Sequence, residues 1–281
     1  MIATQNRSQE LEHSLSMLTS LPERPQIVVV DNGSTDDTAE RARAFEQVHV
    51  VELRANRGAA ARNIGVMVAT TPFVAFSDDD SWWESGALEV AVELLEARPD
   101  VAVVAPTIRV DGGDIDPTCA RMGASPLGCP DGRSSGHRHV LGFLGCAAVI
   151  RRHAFLGVGG FSPLLFIGGE EELLSIDLAV AGWNLLFAPE VTARHRPSQN
   201  RDRRLRVRLL ARNALWVAWL RRSPRTVARA TLGTAAKALV DRDTFVGLVW
   251  AVRGLPAVLR RRTPVPPSLE ASLRLLDRPT R

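Results

Sequence analysis

Two periodicities alternate along the first two thirds of the chain. Short runs of β-branched and aromatic residues recur at 26–31, 48–53, 73–76, 101–105, 140–151 and 183–191, most of them the length of a buried strand. Between them the spacing predicts helices over about 37–47, 59–69, 84–98 and 170–181. Ser34, Thr35, Asp36 and Asp37 offer N-caps for the first, and Gly168 and Gly169 lead into the last. Strands that alternate with helices form βαβ units, so the expected class is α/β around a mostly parallel sheet. Residues 111–140, rich in Gly, Pro, Ser, Asp and Arg, read as a long surface loop, and 157–163 as a turn. From residue 201 the pattern is helical and basic until Thr263-Pro264-Val265-Pro266-Pro267 interrupts it. The expected division is therefore an α/β body over 1–200 and a basic helical region over 201–281.

Composition narrows the class. At 281 residues the chain can bury a large core, and 45% hydrophobic with 23% charged residues is ordinary globular usage. No apolar run approaches the about 20 residues of a membrane-spanning helix. The opening residues lack a basic region followed by an apolar stretch, so the cytoplasm is the expected compartment. Cys119, Cys129 and Cys146 are odd in number and contain no CxxC pair, which argues against a disulfide framework and against zinc. The net charge of +4 conceals a split: residues 1–199 carry 16 Lys+Arg against 26 Asp+Glu (−10), and residues 200–281 carry 19 against 5 (+14).

In an open α/β sheet, ligands sit beyond the carboxyl ends of the strands, where Asp31 and Asp78 both fall. Asp78, Asp79 and Asp80 repel one another unless water or a cation neutralises them, and carboxylate oxygens select Mg²⁺ or Mn²⁺, with a substrate phosphate completing the shell. The alternative is a solvated acidic turn that caps a helix starting after Ser81. Asp31-Asn32-Gly33-Ser34 suits a ribose or base, or an ordinary turn and cap. Residues 56–63, with Gly58 and Arg62, suit phosphate or sugar, or an exposed turn; they match neither a GxGxxG nor a Walker loop. Glu170, Glu171 and Glu172 begin a helix, where the macrodipole alone accommodates them or where one acts as a general base. His195 follows the last strand as a metal ligand or a surface residue. Trp82 and Trp83 fit either sugar stacking or the core.

The ordered set resembles the family 2 glycosyltransferases of the GT-A fold over roughly residues 1–200. Ala3-Thr4-x-Asn6-Arg7 looks like the end of that family's first strand, and Val30 to Ser34 like its nucleotide-binding segment. Asn56 to Asn63 is similar to its glycine-containing loop, and Asp78-x-Asp80 to its metal-binding motif. Gly145 with Gly159-Gly160-Phe161 resembles the segment near the acceptor, Gly169-Glu170-Glu171 the motif that supplies the base, and His195 the histidine after the last core strand. The resemblance implies a GT-A Rossmann-like sandwich. It implies inverting transfer from a nucleoside-diphosphate sugar to a hydroxyl of a glycan, lipid-linked or small-molecule acceptor, in polysaccharide, cell-envelope glycan, glycolipid or natural-product synthesis. Thr4, Asn6, Asp31, Ser34, Gly58, Arg62, Asp78 and Asp79 would surround the donor. Asp78, Asp80 and His195 would hold Mg²⁺ or Mn²⁺, and Glu171 or Glu170 would be the base. The chain departs from the pattern in three places: only Met1 and Ile2 precede Ala3-Thr4, Leu173-Leu174 and Asp177 stand where the family has Asp-Leu and Arg, and there is no tyrosine. The second departure keeps Glu172 open as the base.

The basic region carries Arg201, Arg203, Arg204, Arg206 and Arg208, then Trp216 and Trp219, then Arg260, Arg261 and Arg262. A basic helix with interfacial tryptophans suits the inner face of the plasma membrane; the alternative is an appendage packed on the body. No nucleic-acid module accompanies the arginines, so no nucleic-acid partner is expected. The rival functions are a catalytically silent nucleotide-sugar or carbohydrate binder, and a sugar nucleotidyltransferase, whose glycine-rich basic signature is missing from residues 1–20.

Overall fold

The computed structural model describes residues 1–130, 132, 135–198 and 202–277. Arg201, the expected 200/201 division and part of the predicted 111–140 loop lie outside the described residues. The chain opens with β1 (Ile2–Thr4) and α1 (Ser8–Thr19), then β2 (Ile27–Asp31), α2 (Thr38–Arg43) and β3 (Val48–Glu52). A single 3₁₀ turn (Gly58–Ala60) leads into α3 (Ala61–Val68), followed by β4 (Phe73–Ser77), β5 (Ser81–Trp83), α4 (Ala87–Ala97) and β6 (Val101–Val110). Next come α5 (Pro117–Gly123), β7 (Arg138–His139), β8 (Ala147–Arg151), α6 (Arg152–Gly157), α7 (Glu170–Val180) and β9 (Asn184–His195). Four helices end the described chain: α8 (Arg203–Arg221), α9 (Pro224–Ala238), α10 (Arg242–Leu259) and α11 (Pro267–Leu276).

The strands form one sheet in the order β3-β2-β1-β4-β8-β6-β9-β5, with β7 paired to β9. From β3 to β4 the pairing is parallel, as continuous apolar runs such as Ile27-Val28-Val29-Val30 predict for strands covered on both faces. β8 then runs antiparallel between β4 and β6, and β6 pairs parallel with β9. Helices cover both faces, so the α/β class and the helical region after it stand as expected. β1 is short: Ile2 to Thr4 pair with Val29 to Asp31, and only Ile2 reaches β4, at Ser77. Below it the Met1 amine donates to the Ala75 carbonyl at 2.8 Å, beside an apolar cavity of about 650 Å³ lined by Ile27, Phe73, Val74 and Trp83.

Several elements differ from the sequence reading. α1 was not expected, although Leu11, Leu15 and Leu18 recur at helical spacing and are buried. Ser81 opens a strand and not a helix, because β5 pairs with the far end of β9, Ser81 opposite His195. The 111–140 stretch contains α5, capped where the Asp116 carboxylate accepts from Thr118 N at 2.7 Å with Pro117 in the first turn. The strand expected over 140–151 is confined to its last five residues.

The main core lies between the sheet and its helices. A second cluster joins Leu165, Leu173 and Ile176 of the body to Leu215, Trp216 and Trp219 of α8 and Val258 of α10. The tryptophans expected at a membrane interface are therefore interior: Trp216 donates to the Ala251 carbonyl and Trp219 to Thr231 Oγ1, both at 3.0 Å. The proline-rich interruption runs back along α8, with Val265 N on the Arg221 carbonyl at 2.8 Å, and lets α11 fold against it. There the buried Arg222 pairs with buried Glu270 at 3.1 Å and with Asp277 at 2.6 Å. Truncating one partner of a buried pair strands the other charge, so Arg222→Ala is expected to cost about 3–5 kcal/mol. Urea unfolding of the variant against the parent measures it, and a loss below about 1 kcal/mol would mean that α11 is not held this way.

Candidate active site

Parallel strands deliver their carboxyl ends to one edge, which brings Thr4, Asp31 and the three aspartates after β4 side by side. Asp79 is buried and faces back into the fold. Its Oδ2 accepts from Thr4 Oγ1 at 2.7 Å, its Oδ1 from Arg7 at 3.0 Å, and its carbonyl from Ser14 Oγ at 2.8 Å. Burial pushes its carboxyl up to about 6, against the pull of the Arg7 guanidinium. These contacts make Asp79 and Thr4 supports that fix the turn, not groups open to a ligand.

Asp80 and Asp78 point elsewhere. Asp80 Oδ2 accepts from Arg7 at 3.3 Å and from Ser198 N at 3.1 Å, while its Oδ1 stands 3.2 Å from His195 Nε2. The β5–β9 pairing is what brings His195 here, from more than a hundred residues away. Asp78 forms a tight ion pair with the largely buried Arg62. Arg62 also feels the charges of Glu170 and Glu171, so one guanidinium acts on both the β4 turn and the glutamates that open α7. Burial alone would lower the Arg62 pKa, and Asp78 and the two glutamates reverse that.

Glu170 is buried, whereas Glu171 is half-buried and accepts from Gly145 N at 3.3 Å; Glu172 is exposed. Burial and the Glu171 charge push Glu170 up to about 8, and burial also raises Glu171. Gly145 leaves room for this carboxylate, since a Cβ there would stand 2.9 Å from Glu171 Oε1. Asn63 clamps the neighbouring Gly159-Gly160-Phe161 segment, donating to the Phe161 carbonyl at 2.8 Å and accepting from its N–H at 2.9 Å.

On the other side of β1, Asp31 accepts from Ser34 N at 3.1 Å and from the Ser34 hydroxyl. Asn6, in the left-handed region at φ 52°, accepts from Thr35 N at 2.8 Å through its side chain and donates its own backbone N–H to Ser34 Oγ at 2.9 Å. Gly58, expected at the donor, is occupied by a close approach of backbone: at φ 60°, a Cβ would meet the Phe166 carbonyl at 2.1 Å. Trp82 and Trp83 are core residues, which removes them as a sugar platform. Sequence reasoning named Arg7 only within a motif and missed Ser14 and Ser198; their contacts with the aspartates are all non-local.

The donor set at Asp80 and His195, a carboxylate oxygen from the β4–β5 turn and an imidazole nitrogen from the end of β9, fits a hard divalent cation such as Mn²⁺. Asp78 is engaged by Arg62. Among the described residues no group of three or more His, Cys, Asp or Glu is gathered for a metal.

A mixed α/β sheet with an acidic edge of this kind defines a glycosyltransferase of the GT-A fold, and the chain belongs to glycosyl transferase family 2, whose model matches residues 1–158. It is similar to the N-acetylglucosaminyl-diphospho-decaprenol L-rhamnosyltransferase of Mycobacterium tuberculosis, 26% identical over 69% of this chain and 74% of that one. An uncharacterised glycosyltransferase of the same organism is 34% identical over 62% of this chain and 77% of its own length. Among solved structures, a mannosyltransferase from Pyrobaculum calidifontis in complex with GDP-Man and Mn²⁺ superimposes with a TM-score of 0.59 at 19% identity, over 98% of this chain and 84% of that one. This likeness concerns the fold.

Gly145→Ala tests the site's geometry. The added methyl displaces the Glu171 carboxylate, so turnover should fall about tenfold or more while nucleotide binding is unchanged. Equal turnover in the variant would show that this carboxylate position is not used.

Proposed function

We propose that the protein transfers a sugar from a nucleoside-diphosphate donor to the hydroxyl of a lipid-linked or glycan acceptor in cell-envelope synthesis, with inversion at the anomeric carbon. The observation that carries this reading is Arg62, which is ion-paired with Asp78 and feels the charges of Glu170 and Glu171, so that the expected donor and acceptor sides share one guanidinium. Asp31 and Ser34 suit the nucleoside. Asp80 and His195 would hold the divalent cation, which when bound neutralises charge on the departing diphosphate. Arg62 and Arg7 hold the aspartates in place around it. Glu171, the more accessible of the pair and fixed by Gly145 N–H, takes the proton from the acceptor hydroxyl as its oxygen attacks the anomeric carbon from the opposite face. Support for a lipid-linked acceptor comes from the M. tuberculosis relative, whose name gives a diphospho-decaprenol substrate. Mn²⁺ in the P. calidifontis complex supports the choice of metal.

Two experiments test the roles. With labelled nucleotide sugars and a bacterial lipid extract as acceptor, Glu171→Gln is expected to reduce turnover about a hundredfold or more while leaving donor binding intact. Unchanged turnover would move the base elsewhere, and donor binding without turnover by the parent across all donors and acceptors would favour a silent binder.

The pH profile follows from the raised glutamates. A base works only when ionised, so turnover should climb with pH along a limb above the usual carboxylate range, because burial raises Glu171 and the Glu171 charge in turn raises Glu170. Glu170→Gln removes one of the two repelling charges, so the limb should move to lower pH. A limb that stays in place would show that the two carboxylates do not titrate together.

A further inference from the structure

The helical region presents outward a surface that the chemistry above does not use. Leu239 and Val240, 87% and 89% exposed, are the most exposed large hydrophobic residues among those described. They form the turn between α9 and α10. The turn is well closed: Leu239 N and Val240 N bond to the Ala236 and Lys237 carbonyls, and Asp241 caps α10 by accepting from Thr244 N at 2.8 Å. One turn into α10, Phe245 is 53% exposed, and Leu232, on the outer face of α9, is 71% exposed.

Lys237 and Arg242, both exposed, flank the tip, and further cations run along the two helices. Residues 224–262 carry eight Arg+Lys and two Asp, a net charge of +6. Both aspartates are occupied, Asp241 at the cap and Asp243 in an ion pair with Arg208 at 2.7 Å. No described helix is long and apolar enough to cross a membrane, so such a surface can only lie against one.

We propose that the α9–α10 hairpin is a membrane-docking element, whose tip places Leu239, Val240 and Phe245 among the headgroups of an anionic bilayer while Arg and Lys side chains contact the lipid phosphates. The combination selects this occupant. A nucleic acid would answer the cations and leave the apolar tip in water. A second copy would cover the tip but bring +6 against +6.

The hairpin is linked to the base-bearing loop through α8. Arg208 of α8 holds α10 through Asp243, and its carbonyl lies so close to Gly247 that a Cβ there would be 2.6 Å away. Five residues on, a rise of about 8 Å, Asn213 donates to the carbonyls of Leu165, Ile167 and Gly168, the loop that delivers Glu170 and Glu171. The first half of α8 and its middle thus tie both the hairpin and the base-bearing loop, so a docked tip would hold the acceptor side of the site toward the bilayer. That purpose rests on the lipid-linked acceptor proposed above; the docking itself rests on the surface.

Flotation of the 281-residue chain with phosphatidylcholine vesicles, with and without phosphatidylglycerol, tests it. The parent should partition to the anionic vesicles at least about tenfold better than to neutral ones, and high salt should erase the difference. The triple variant Leu239→Ser, Val240→Ser, Phe245→Ser should lose about tenfold in partition while keeping its melting temperature and its stabilisation by nucleotide. Equal binding to neutral and anionic vesicles, equal binding by the triple variant, or a dimer in sedimentation that the triple variant abolishes would each overturn the proposal. Because nucleotide stabilisation is read in solution, failure here and failure of the proposed transfer reaction are distinguishable.

Discussion

Carboxylates that repel one another are gathered at one edge of the sheet, and the rest of the site is arranged around holding them there. Asp78, Asp79 and Asp80 follow one another at the end of β4, and Glu170 and Glu171 face them from α7. Neither group is free in water, and burial raises Asp79, Glu170 and Glu171 above the usual carboxylate range. Arg7 bridges Asp79 and Asp80, Arg62 holds Asp78 and faces the glutamates, and His195 closes on Asp80. Removing positive charge from this edge leaves an assembly that can relax only by taking up protons or moving apart. A cation with a diphosphate satisfies the same electrostatic demand, which is why the arrangement suits a nucleotide-sugar donor.

The split in charge along the chain takes on a physical meaning in this light. Acidic residues concentrate where substrate would bind, whereas the basic helices use only part of their charge internally: Arg221 on Asp177, Arg222 on Glu270 and Asp277, Arg208 on Asp243. The tryptophans of α8 are spent on packing the helices against the body and one another. What remains outside, on α9 and α10, is the apolar tip with the exposed Lys237 and Arg242 beside it.

How much of this the sequence carried depended on the range of each interaction. Local signals were readable: Val28 to Asp31 and Val74 to Phe76 announce buried strands whose ends present Asp31 and Asp78, and Gly168-Gly169 announces the start of α7 at Glu170. α1 was also encoded locally, in Leu11, Leu15 and Leu18, and was overlooked. Interactions between distant segments were not legible. Nothing near Ser81 says that it will pair with His195, so Trp82 and Trp83 fit sugar stacking as well as the core, and only the pairing shows them as a buried strand. Gly58 looked like a phosphate loop, but its lack of a side chain answers the Phe166 carbonyl, which lies more than a hundred positions away.

The central claim is that this edge binds a nucleoside diphosphate together with a divalent cation through Asp80. Thermal melting of the parent and of Asp80→Ala against UDP, GDP and dTDP, each with and without Mn²⁺, addresses it directly. The account predicts that one nucleotide raises the melting temperature of the parent only when Mn²⁺ is present, and that Asp80→Ala, folded as the parent is, shows no such rise. Stabilisation that is indifferent to Mn²⁺ and to Asp80, or no stabilisation by any nucleotide, would contradict it.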